Sequence, residues 1–171
     1  MRMTEEAGVF DEAGEDELLL AAMMQLGARG GAMGGAAGGT ITGHRGLGRA
    51  GARGGARGAA RGFKWTKKDV STTRIPLPGT VEAVSSLLHG ILTGAGSLTG
   101  TQARDDGGVT MRAIVGVGLG GMNPAVVTAV VAAAPDGTAV LELRAAGREG
   151  LIKQHPADKA LAKITAQLGA A

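Results

Sequence analysis

Cysteine is absent from the 171 residues, which excludes a disulfide framework, a thiolate metal site and a cysteine nucleophile. Tyrosine is absent too, and the aromatic residues are Phe10, Phe63 and Trp65. A core must therefore be built from Val, Ile, Leu, Met and Ala. Aliphatic burial at roughly 25 cal/mol per Å² makes a modest core feasible in a domain of about 100 residues. The start, Met1-Arg2-Met3-Thr4-Glu5-Glu6, lacks an apolar stretch, so no secretory signal is expected and the protein reads as cytoplasmic. Heavy use of Ala, Gly, Arg and Val fits a GC-rich bacterial coding bias.

Acidic residues are missing from a long central stretch, and this exposes an asymmetry within the net charge of +3. Residues 1–17 carry seven acids and one Arg, whereas residues 18–68 carry six Arg, three Lys and no acid. Residues 69–171 are balanced, with eight bases and eight acids. The basicity belongs to the N-terminal region rather than to the rest of the chain.

Glu15 to Leu26 has helical spacing in Leu18, Leu19, Ala22, Met23 and Leu26, with acids at its start and Gly27 past its end. A helix of about three turns is marginal alone in water. From Gly27 to Gly62 the chain is of low complexity. Gly-Ala-Arg-Gly-Gly-Ala occurs at 27–32 and again at 51–56, and Arg45, Arg49, Arg53, Arg57 and Arg61 recur every four residues. On a helix they would form a drifting basic stripe. Six of the 17 residues from Arg45 to Arg61 are Gly, each costing about 1 kcal/mol relative to Ala in a helix, so disorder is expected.

Regular structure is expected from Asp69 onward. Val70 to Leu77 reads as a strand with Pro76 marking an edge, and Thr80 as the N-cap of a helix whose apolar face is Val84, Leu87, Leu88, Ile91 and Leu92. The period then changes to two, giving strands at Ser97–Ala103, Val109–Val117, Ala125–Ala134 and Thr138–Ala145. Arg104-Asp105-Asp106-Gly107-Gly108 and Pro135-Asp136-Gly137 read as turns. A last helix begins at Pro156, with Ala157, Ala160, Leu161, Ile164 and Leu168 on one face. The fold class is therefore α+β. The expected architecture is a two-layer sandwich with an antiparallel sheet, in the order strand, helix, four-strand meander, helix, with both helices on one face. The expected division is an acidic head (1–26), a disordered basic linker (27–68) and a small α+β domain (69–171).

Candidate motifs are weak. Gly116, Gly118 and Gly121 match the dinucleotide fingerprint, but the β-branched run that follows favours a strand where the chemistry needs a helix, so no cofactor is expected. Ala113 to Ala134 is long enough to span a bilayer, but its alternation and Asn123-Pro124 favour strands, so no membrane span is expected. His44, His89 and His155 are scattered, no metal-ligand spacing occurs, and no catalytic constellation can be assembled, which argues against an enzyme.

The basic tract is the one feature with a functional slant. Arg45, Arg49, Arg53, Arg57, Arg61, Lys64, Lys67 and Lys68 offer charge to a phosphate backbone, and Trp65 and Phe63 offer stacking. The expected function is a non-enzymatic interaction protein that binds a protein partner and, through this tract, nucleic acid or another polyanion. An inert solubilising linker is the competing reading of the tract. The alternative for the domain is a small-molecule or lipid site in an apolar cavity lined by Met111, Val115, Leu88 and Leu92.

Overall fold

The computed structural model describes residues 11–42, 46–150 and 153–170. Its elements are α1 (Glu12–Thr42), α2 (Leu47–Trp65), β1 (Lys67–Leu77), α3 (Val81–Ala95), β2 (Gly96–Ala103), β3 (Val109–Val117), β4 (Asn123–Ala133), β5 (Ala139–Glu149) and α4 (Pro156–Leu168). A single 3₁₀ turn at Leu119–Gly121 links β3 to β4. The class is α+β, with one five-stranded sheet ordered β1-β5-β4-β3-β2 and every pairing antiparallel.

Strand alternation divides the sheet into two faces. Met111, Ala113, Val115, Val127, Ala129, Val131, Leu141 and Leu143 are buried on one face, against α3 and α4. α3 contributes Val84, Leu88, Ile91 and Leu92, and α4 contributes Ala157, Ala160, Leu161 and Ile164. The Thr80 hydroxyl accepts from the Ala83 N–H at 3.4 Å, which caps α3. Leu87, assigned to the apolar face from spacing, is 40% exposed, and Ser85 lies on the buried side instead. β5 runs to Glu149, beyond the expected Ala145. At Gly147 a Cβ would lie 2.7 Å from the Pro156 ring, so the missing side chain lets α4 start directly against the strand.

Ala113–Ala134 is β3, a turn and β4, so the segment after the Gly116–Gly121 motif is a strand and not a helix. Among the described residues no helix is long and apolar enough to cross a membrane.

Two expectations are corrected. The stretch expected to be disordered is helical: α1 continues from Glu12 through Thr42, and α2 runs back alongside it. The two helices meet through glycine. A Cβ on Gly27 would lie 2.4 Å from the Gly55 carbonyl oxygen, and one on Gly31 would lie 2.0 Å from that of Gly51. Glycine's intrinsic helix penalty is thus set against close backbone packing that no larger residue permits. The architecture also has three layers rather than two, because the start of α1 covers the sheet face opposite α3 and α4. Leu19, Val126 and Ala146 are buried there, with Leu18, Phe63 and Ile114 around them.

Candidate polyanion-binding face

The sequence of α2 is a four-residue repeat. Leu47, Gly51, Gly55, Ala59 and Phe63 occupy one position of it, and Gly51, Gly55 and Ala59 lie along the line packed against α1. Arg49, Arg53, Arg57, Arg61 and Trp65 stand two residues later, about 200° around the helix, and point away from α1. All five are exposed. The four guanidinium groups rise from a stripe about 18 Å long at 1.5 Å per residue, and an indole ends it. Trp65 is 91% exposed, unusual for so large an apolar surface.

Lys64 and Lys67 are exposed beside the end of this stripe. α2 contains no acid, and among the described residues none of Arg49, Arg53, Arg57, Arg61, Lys64 and Lys67 takes part in an ion pair. The nearby acids are engaged elsewhere. Asp11, just before α1, and Glu12, Glu15 and Asp16 of α1 pair with Arg112, Arg144, Arg148 and Lys68 on the sheet. Those four acids are therefore committed to the sheet and not to the outer face of α2.

Two residues of the predicted set depart from the stripe. Lys68 lies 3.4 Å from Glu15 and 3.3 Å from Asp16, with its side chain largely covered. Phe63 is turned inward, with the Arg148 guanidinium 4.0 Å above its ring, so it offers no face for a base. Arg45 and His44 lie outside the described residues. The four-residue period of Arg was visible in the sequence. That Trp65 continues the same period was also written there, and the spacing rule that links the arginines would have found it.

Other clusters have structural duties. Asp69, Glu149 and His155 bring candidate ligand atoms within 4.8 Å of one another. However, Asp69 accepts from the Ala157 N–H at 2.9 Å and Glu149 accepts from the His155 N–H at 3.2 Å. Both carboxylates thus serve the positive start of α4, where a cation is disfavoured. Asp69, rather than the His155 side chain, supplies the cap. Asp106 accepts from Arg104 at 2.8 Å and from the Gly108 N–H at 2.9 Å, as a turn residue does.

Met111, Val115, Leu88 and Leu92, proposed as cavity lining, are all buried in the core between the sheet and its two helices. An open groove of about 960 Å³ lies elsewhere, between the start of α1 and the β2 edge, lined by Asp11, Leu18, Thr101, Gln102, Arg104 and Arg112 among others. No family model matches the chain, and no curated protein matches it in sequence.

Proposed function

We propose that the protein binds nucleic acid without sequence preference through the outer face of α2. The observation that carries this reading is the exposed line Arg49, Arg53, Arg57, Arg61 and Trp65, free of acids and unpaired among the described residues. Arg side chains follow a phosphate backbone and release its counterions, and an exposed indole stacks on any base. α2 has no Asn, Gln, Ser, Thr or acidic side chain, so the groups that read adenine and cytosine edges are missing from this face. The protein acts as an interaction module rather than an enzyme in this reading, and works in the cytoplasm.

The test is fluorescence anisotropy with a labelled oligothymidylate across a salt series. Affinity should fall by about 300-fold between 50 and 200 mM salt if six bases engage phosphates of a single strand. Replacing Arg53, Arg57 and Arg61 together by Ala should weaken binding and reduce the salt slope by about two. Unchanged affinity and slope in that variant would defeat the proposal.

A further inference from the structure

The sheet face beneath α1 carries more positive charge than a sheet tolerates unaided. Lys68 and Arg148 are cross-strand partners in register on β1 and β5. Two same-face rows further along, past the row of Val70, Ala146 and Val126, Arg144, Thr128 and Arg112 lie side by side on β5, β4 and β3. Neighbouring strands are about 4.8 Å apart and the two cationic rows about 13 Å, so the four cations flank the apolar row of Ala146 and Val126. Like charges directly opposite one another on a sheet are destabilising, and this arrangement needs an anion over it.

The chain supplies that anion itself. Glu15 has no exposed surface, and its carboxylate lies 2.8 Å from Arg144 Nε and 3.4 Å from Lys68 Nζ. Asp16 bridges Lys68 and Arg148 at 3.3 and 3.0 Å, Glu12 reaches Arg144 at 3.0 Å, and Asp11 is 3.7 Å from Arg112. The match is incomplete. Arg148 Nε is buried without a hydrogen-bond partner. The apolar part of the contact is small, with only Leu19, Val126 and Ala146 fully buried in it. Carboxylates at helical spacing thus stand over an array of donors that they do not saturate.

We propose that this face is a second site for the phosphate backbone of nucleic acid, and that the acidic start of α1 occupies it in the absence of that ligand. Phosphodiesters carry the same charge as the carboxylates and present their acceptors along a flexible chain that can reach from one cationic row to the other. Binding then exchanges intramolecular carboxylates for phosphates and frees the first turns of α1. The proposal stands on the sheet and does not depend on the α2 stripe.

The experiment compares oligothymidylate binding by two full-length variants of equal charge. One carries Glu12→Gln, Glu15→Gln and Asp16→Asn; the other carries Glu82→Gln, Asp136→Asn and Asp158→Asn, away from the face. The first should bind about tenfold tighter than the second, with a salt slope steeper by about two. Adding Arg53→Ala, Arg57→Ala and Arg61→Ala to both should leave that difference in place, which separates this site from the α2 stripe. Hydrogen exchange on the wild-type chain gives a readout that does not depend on the variants folding. Amides of residues 12–22 should lose protection when saturating oligothymidylate is added. Equal affinities in the two variants, or retained protection of those amides, would overturn the proposal.

Discussion

Gly31 and Gly51 face each other across the helical hairpin so closely that a Cβ on either would lie about 2 Å from the carbonyl oxygen of the other. The obstacle is backbone, so neither helix can yield without moving the whole pair. Gly51→Ala should therefore part α1 from α2, although Ala is the better helix former by about 1 kcal/mol. Gly54→Ala is the matched control, since a Cβ there meets nothing within 4 Å. It should stabilise the hairpin by about 0.5–1 kcal/mol. Helical circular dichroism during thermal unfolding distinguishes the two, and the prediction fails if both variants shift in the same direction.

Trp65 is the sole tryptophan, so its fluorescence reports on the end of the stripe without interference. Its emission should be quenched as oligothymidylate stacks on the ring. Trp65→Ala should cost about 1–3 kcal/mol of binding while leaving the salt slope unchanged, because stacking releases no counterion.

Glu15 is buried between Arg144 and Lys68. Glu15→Ala leaves those cations without their main partner and should destabilise the chain by about 3 kcal/mol, read from denaturant unfolding. A loss under about 1 kcal/mol would mean that solvent or neighbouring acids take over the pairing.

Hydrogen bonds from Arg104, then from the Gly108 N–H, hold the Asp106 carboxyl down to about 2. A depressed folded-state pKa contributes stability that is fully present above the ordinary carboxyl value and is lost as pH falls through the folded value. The β2–β3 turn should thus be unchanged at pH 5 and loosen between about pH 4 and 2. An NMR titration of Asp106 with a midpoint near 4 would contradict this. Asp136, lowered by the Thr138 hydroxyl and N–H, should behave in the same sense at the β4–β5 turn.

Val127 has no exposed surface and packs in the main core from β4. Val127→Asp places a carboxylate where it has no partner, and the expected outcome is loss of cooperative unfolding and of dispersed NMR signals. A folded variant with a near-native midpoint would place Val127 outside the core.

Alternation made β3 easy to read, because Met111, Ala113, Val115 and Val117 are apolar at every second position and all four are buried. The helix starts were equally local, since Thr80 and Pro156 are signals carried by single residues. The hairpin was not legible by the same means. Its glycines carry an intrinsic penalty at each position, and the compensating contact lies between Gly31 and Gly51, in two different helices. A helical Arg stripe could be drawn from the sequence, but the decision between stripe and coil depended on a partner that periodicity does not show. The cover over the second sheet face was hidden for a similar reason. Glu15 and Arg144 are separated by 129 positions, and nothing in the spacing of either points to the other.

The amino-acid sequence by itself determined the α+β class and the middle of each strand and of the two core helices, though not the ends of β1 and β5, because those signals are local: alternation, caps, turn residues. It also determined that positive charge concentrates between Leu18 and Lys68. Tertiary structure alone decided what that charge faces. Packing of glycine against glycine turned α2 so that Arg49, Arg53, Arg57, Arg61 and Trp65 look outward, while ion pairing between α1 and the sheet covered Lys68 and buried Glu15. The physical reason is range. Dihedral preference and amphipathic period act over a few residues, whereas close helix contact and charge pairing act between residues that only the fold brings together.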